Sequence, residues 1–431
     1  MLIRMIYISV HKKNTFSFLF SLVFLKLILA FSYSYIISDS FNYSGFNYEF
    51  YYGRYLVGWV LYLACFPLLN SILNKVSDYY YLMALMFVVA PLIILYESDL
   101  SRSLAPVIAM ILSLYTTFIF SNYLPISFKR IARIKGGMKI SILLCVFFVL
   151  LLVVIYLKTG VKINFNFSKV YDFRIENALA SAQGIYSYTN NWTYKVFNMF
   201  LFALALHYKK YSVALLVLVV QVYFFGASSH KSVLFYPLLV ISSWLYFTRT
   251  RKLSIIPYII SVLLIVTVLA KVIYGDLLLS SFISRRTFFV PANLTFIYFD
   301  FFANNSFIYW SNSVLSSIFQ YPYIESIPKV IGNHMGLPDM SANNGYLSTG
   351  YAHGGFVGVA FYSILIGFIL KFLDDIVSNT IPVWLAVSFS IIPLRNLLVA
   401  SDLFTVLLTH GLIVALFLIY MSSSEIREKG E

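Results

Sequence analysis

The sequence predicts an all-α polytopic integral membrane protein of about 12 transmembrane helices, one membrane domain over 1–431, with both termini cytoplasmic. Three observations carry that expectation: a composition too apolar for a soluble surface, recurrent apolar runs of spanning length, and an uneven distribution of Lys and Arg. Hydrophobic residues make up 60% of the 431 and charged residues 11%. Soluble domains carry roughly 45–50% apolar and about 25% charged residues, so lipid is the solvent that this chain fits, and a lipid bilayer is its first partner.

The net charge of +14 would point to nucleic acid in a soluble protein. Here it has a topological reading, because Lys and Arg concentrate on the cytoplasmic side of membrane proteins, and no nucleic-acid partner is expected. The two cysteines, Cys65 and Cys145, both lie in apolar runs, which excludes a disulfide framework or a cysteine metal cluster.

A span needs about 20 mostly apolar residues. Such runs occur at 16–37, 55–73, 81–96, 104–124, 140–157, 192–208, 212–229, 232–247, 253–273, 355–373, 381–398 and 402–421. The first follows a basic start (Arg4, Lys12, Lys13) but is too long for a signal-peptide core and precedes no small-residue cleavage site, so it reads as a retained helix. With the N-terminus inside and strict alternation, the cytoplasmic segments hold 17 Lys/Arg in 66 residues and the outer loops 10 in 152, the asymmetry that the positive-inside rule requires. The strongest anchors are Lys129, Arg130, Arg133, Lys135 and Lys139, then Lys209 and Lys210, then Arg249, Arg251 and Lys252.

Two outer loops stand out, 158–191 and the much longer 274–354 between spans 9 and 10. The longer one is rich in aromatics from Phe288 to Trp310. Such rings favour the membrane interface, so helical pieces near 281–303 and 306–319 are expected to lie on or dip into the outer face. Pro322, Pro328 and Pro338 break its second half into turns.

Several soluble-enzyme signatures are missing. Gly226 to Ser232 (GASSHKS) lacks the second glycine and strand context of a phosphate loop, and there is no H-E-x-x-H. Asp374-Asp375 reads as a solvated turn. Ionisable groups within the membrane cost at least about 2.5–3.5 kcal/mol at its centre, so they pair or serve a site. Lys26 is expected to pair with a carboxylate or line a cavity, and Lys271 to snorkel. Arg285 and Arg286 stand beside the aromatic stretch, Arg395 near the outer end of span 11, Asp402 just after it, His230 and Lys231 in a tight outer turn, and His353 in the Gly-rich Gly345–Gly355 segment before span 10. Cations, a histidine and aromatics on one side suit an anionic lipid headgroup that bears sugars: arginines for phosphate, rings for sugar faces, histidine for proton transfer.

Arg285-Arg286-Thr-Phe-Phe-Val-Pro291-Ala, then Tyr298-Phe-Asp300-Phe-Phe302, then Asn343 to Gly358 (NNGYLSTGYAHGGFVG) leading into a span, resemble the Wzy-type O-antigen polymerases, the oligosaccharide repeat-unit polymerases. The resemblance covers the hydropathy of the whole chain and, residue by residue, mainly 284–360. It implies a glycosyltransferase of the bacterial inner membrane, with its active site facing the periplasm. It would move a growing glycan from undecaprenyl pyrophosphate to an incoming lipid-linked repeat unit, without metal, nucleotide or other cofactor. An undecaprenyl-pyrophosphate-linked oligosaccharide is then the substrate, and the resemblance admits a chain-length regulator protein as a further partner. Carried onto this sequence, Arg286, Arg285 and Arg395 would stabilise the departing pyrophosphate. His353, or in second place Asp300, would take the acceptor proton. Tyr298, Tyr351, Lys231 and His230 would help to bind substrate. An O-antigen ligase and a flippase for lipid-linked sugars are the alternatives. A flippase should show paired halves, and no internal repeat is visible.

Overall fold

Lipid offers backbone N–H and C=O groups no partners, and a helix satisfies them locally. The computed structural model describes residues 2–166, 170–181 and 184–424, and these are all-helical and turn, without a strand. Residues 167–169 and 182–183 of the smaller outer loop, the C-terminal 425–431, and the side chains of Arg4, Lys12 and Lys13 lie outside the described set.

Among the described residues, seven helices are long and apolar enough to cross a membrane: Thr15–Ser40, Val76–Glu97, Ala105–Tyr123, Gly137–Lys158, Tyr211–Ser228, Ile255–Tyr274 and Tyr346–Val377. Lys231–Phe247, Val383–Val399 and Leu412–Ser422 are apolar but shorter. Three of the expected runs depart from a uniform apolar helix in different ways. Run 55–73 forms the helix Tyr52–Ala64 and a short 3-10 turn at Phe66–Leu68, where Pro67 lacks the donor to continue an α-helix. Run 192–208 lies in a continuous helix, 186–207, with a π segment at Thr193–Phe197 and a polar first third (YSYTNNW). Run 402–421 breaks before Gly411, which is left-handed at φ +76°.

Burial separates centre from periphery. Most residues of the Val76–Glu97 helix are buried, and it forms the axis, whereas Gly137–Lys158, apolar on all sides, has about a third of its residues buried and faces outward. Helices pair through small and hydroxylated residues, as membrane packing favours. Ala105–Tyr123 runs parallel to Tyr346–Val377, with Ser363 Oγ donating to Ser113 Oγ at 2.7 Å. Farther along, Gly367 leaves room for Phe120, which a Cβ would meet at 2.5 Å. Thr15–Ser40 runs parallel to Ile255–Tyr274: Tyr258 reaches Ser17, and Lys271 reaches Tyr35 O at 2.9 Å and Asp39 at 2.7 Å. Lys271 thus holds two helix ends together. Lys26 pairs with Glu97 at 2.7 Å inside the bundle and lies 4.1 Å from the Trp59 ring. Gly58 makes the space, because a Cβ there would lie 1.9 Å from Glu97 Oε1.

Loop contacts gather at two ends. At one, which we term the basic end, Leu73 N donates to Arg251 O, Leu253 N to Ser71 O, and Tyr420 Oη to Ala132 O. Here Asp374 accepts from Ser77 N and Oγ, and Asp375 from Phe128 N. Both carboxylates are buried in this role, so the pair is not a solvated turn. At the opposite end three loops meet the long segment that follows Tyr274: Arg285 and Asn293 reach Ser44, Arg102 lies over Phe296, and His353 lies beside Asp402.

That segment departs from expectation in three ways. Six of its rings are withdrawn from the surface. Residues 280–304 form one helical rod, π then α, and Phe288, Phe289, Phe296, Tyr298, Phe299 and Phe302 are buried in the protein interior, where Phe288 stacks on Phe87 at 5.0 Å. Large aromatic area is withdrawn from both water and lipid by packing on the axial helix. Residues 306–319 are turns, because Tyr309 and Trp310 adopt left-handed φ of 49° and 55°, incompatible with a right-handed helix. Finally, the Gly-rich stretch is helical from Tyr346, with a kink at Gly354 and Gly355. Gly355 has φ +59°, and the carbonyl of Gly350 would lie 2.1 Å from a Cβ on Gly358, so the glycines serve the kink and its close packing.

Candidate functional site

The opposite end holds a cavity of about 520 Å³ lined by Arg102, Asp99, Asp300, His334, Asn293 and the rings of Tyr43 and Phe296. Arg54 donates to the carbonyls of Tyr96 (3.1 Å), Asp99 (2.6 Å), Leu100 (3.0 Å) and Arg102 (3.0 Å) and so fixes the loop that presents Arg102. Arg102 is buried, donates to Gly45 O at 2.8 Å, lies 3.5 Å from Asp99 and stacks 4.9 Å over Phe296. Partial burial pushes the Asp99 carboxyl up, but bonds from the Ser101 hydroxyl and N–H and the charge of Arg102 outweigh it and hold it below the ordinary range.

Asp300 is different. Its side chain is exposed to this cavity and accepts no hydrogen bond among the described residues, while partial burial raises its pKa against the opposing charges of Arg102 and His334. A carboxylate with an elevated pKa, open to a cavity and beside a guanidinium, can take a proton from a bound hydroxyl while the cation faces developing negative charge.

The adjacent arginines diverge. Arg285 turns to the cavity rim, donating to Ser44 Oγ at 3.2 Å and lying 4.8 Å from the Phe41 ring, and its buried Nε has no partner among the described residues. Arg286 is exposed and lies over Phe282 (5.3 Å), a ring that Lys231 also approaches, at 6.0 Å. Two cations on one exposed ring form a surface patch suited to an anionic headgroup.

His353 lies elsewhere. It is 2% exposed, its Nδ1 accepts from Trp310 N at 3.1 Å, its ring stacks on Trp310 at 5.0 Å, and its Nε2 lies 3.6 Å from Asp402. Asp402 also accepts from Tyr362 Oη at 2.6 Å and caps the helix that follows it. Both imidazole nitrogens therefore face protein groups. At the residue before Asp402 a separate pairing begins: Ser401 Oγ and His410 Nε2 stand 2.7 Å apart, and Lys195 Nζ meets His410 Nδ1. His230 interacts electrostatically with His410.

Arg395 does not join Asp402. It is the exposed position on an otherwise buried stretch of its helix and acts electrostatically on Tyr236 across the helix pair. Tyr298 is buried and spends its hydroxyl on Ala342 O at 2.9 Å, and Tyr351 is stacked on Phe299 at 3.8 Å, close enough to Asp300 to interact electrostatically. The cavity thus unites Asp300 and the rim residue Arg285 but not His353, Arg395 or Tyr298. Sequence reasoning missed Arg102, Lys195 and His410. Lys195 and His410 carry a usable signal, an ionisable group inside an apolar run; Arg102 sits in a short loop and carries none. Among the described residues, no three His, Cys, Asp or Glu converge as metal ligands would.

No protein-family model, no curated protein and no solved structure matches the chain.

Proposed function

We propose that this chain is a polymerase of lipid-linked glycan repeat units, embedded in the bacterial inner membrane with its basic end in the cytoplasm and the Asp300 cavity on the periplasmic face. In this reading the five shorter or interrupted apolar helices also cross, giving about twelve spans. The positive-inside rule sets the direction: Lys129, Arg130, Arg133 and Arg249 stand at one end. The observation that carries the reading is the cavity at the other end, where a carboxylate of raised pKa, Asp300, faces Arg102 and rings, with Arg285 on the rim.

The reaction needs little else. The acceptor hydroxyl of the incoming repeat unit attacks the anomeric carbon of the donor glycan. The new C–O bond forms as the bond to pyrophosphate breaks, and its electron pair leaves with undecaprenyl pyrophosphate. Asp300 accepts the hydroxyl proton and returns it to water. Arg102 and Arg285 face the developing phosphate charge, a role whose loss typically costs about 10²–10³ in rate. Arg286 and Lys231 steer the lipid pyrophosphate from the membrane face. His353 supports the kink and the Trp310 turn, and so Asp300 takes the base role that the sequence offered first to His353.

The glycan of a deletion strain tests this. A polymerase leaves single repeat units on the lipid A-core. Free, unattached polymer marks a ligase, and absence of outward-facing lipid-linked sugar marks a flippase; either result overturns the proposal.

A further inference from the structure

A second concavity lies at the other end of the molecule. About 770 Å³ is enclosed by Lys75, Lys129, Arg251 and Lys371, with Asp374 and Asp375 between them. That is the size range of small-ligand sites, roughly 300–1,000 Å³. Four cations against two carboxylates leave the lining formally positive.

The orientation of the carboxylates matters more than the count. Asp374 turns to Ser77, accepting its N–H at 3.1 Å and its hydroxyl at 2.6 Å. Asp375 accepts Phe128 N at 3.0 Å and Lys371 Nζ at 3.1 Å. Lys75 reaches Asn122 Oδ1 at 2.9 Å. Cations that only satisfy the positive-inside rule stand on a convex rim in water. These come from four separate segments and line one hollow, where like charges repel and a bound anion relieves the repulsion.

We infer that this cavity is a second site, for a phosphate-bearing anion, held by Lys75, Lys129 and Arg251 and distinct from the Asp300 cavity. Ammonium groups supply point charges and Arg251 a planar fork, the pairing that phosphate oxygens favour. The phosphate belongs either to an anionic lipid headgroup or to a soluble phosphate compound, and the site takes the shared chemistry.

The test does not use glycan transfer, so it stands apart from the proposed function. The full chain carrying Ser378→Cys, in neutral phosphatidylcholine nanodiscs, is labelled with a maleimide. Ser378 lines the cavity, and the native cysteines are buried. Inorganic pyrophosphate at ten times its Kd should slow labelling about tenfold, with sodium chloride of equal ionic strength as control. Protection by pyrophosphate identifies a soluble ligand. Protection only when phosphatidylglycerol replaces part of the neutral lipid identifies a headgroup. In either case Lys129→Gln and Arg251→Gln, both at exposed positions, should abolish protection and leave the unprotected rate unchanged. No protection from either anion, or protection that survives both substitutions, overturns the inference.

Discussion

The two ends of the bundle use the same residue types and divide the work differently. At the Asp300 end the cation Arg102 is buried and tied to backbone, while the carboxylate is exposed to the cavity. At the basic end the carboxylates are buried and tied to backbone, while Lys129 and Arg251 are exposed. A cavity that presents a carboxylate of raised pKa can accept protons. One that presents only cations can hold an anion but has no base. Composition alone would not separate them, because each lining holds two Asp and at least one Arg.

Substituting the carboxylate at each end tests this contrast. Asp300→Asn should lower turnover by about 10²–10⁴, the usual worth of a positioned base, with protein level unchanged; polymer length and initial rate in membranes measure it. The pH profile adds a sign. A base works only when ionised, so turnover falls as pH drops through the raised pKa of Asp300. Arg102 opposes that rise, so Arg102→Gln should move the acidic limb to higher pH and Arg102→Lys should leave it nearer the wild type. A limb that stays fixed in Arg102→Gln would detach the guanidinium from the carboxylate.

At the basic end, Asp374→Ala should strand the Ser77 N–H and hydroxyl, destabilising the chain by about 1–3 kcal/mol while turnover per folded molecule is kept. Thermal unfolding in detergent, paired with activity normalised to folded protein, reads both. A smaller effect is expected from His353→Gln, about 1 kcal/mol through the lost Trp310 contact, with near-normal turnover. If His353→Gln instead folds normally and loses most turnover, the base lies in the kink and not in the cavity.

The sequence made the helices legible because lipid imposes long apolar runs, and seven of the expected runs are helices of spanning length. Lys26 was legible as a residue needing a partner, and Glu97 supplies it. What stayed hidden is tertiary. Rings such as Phe288 and Phe289 read the same whether they lie on a membrane face or in a core. A Gly-rich segment does not name its neighbours, and only the fold sets Gly355 against Phe307 and Gly358 against the Gly350 backbone. Arg102 stands in a short polar loop, and only the fold brings it to Asp300, some two hundred positions away in the sequence.

The most direct test of the central claim is reconstitution. The purified chain in nanodiscs, given only lipid-pyrophosphate-linked repeat units in EDTA and no nucleotide sugar, should build a ladder of longer glycans and release polyprenyl pyrophosphate, and Asp300→Asn should not. A chain that leaves the repeat units unjoined, or joins them only with an added nucleotide sugar or divalent ion, would contradict the account.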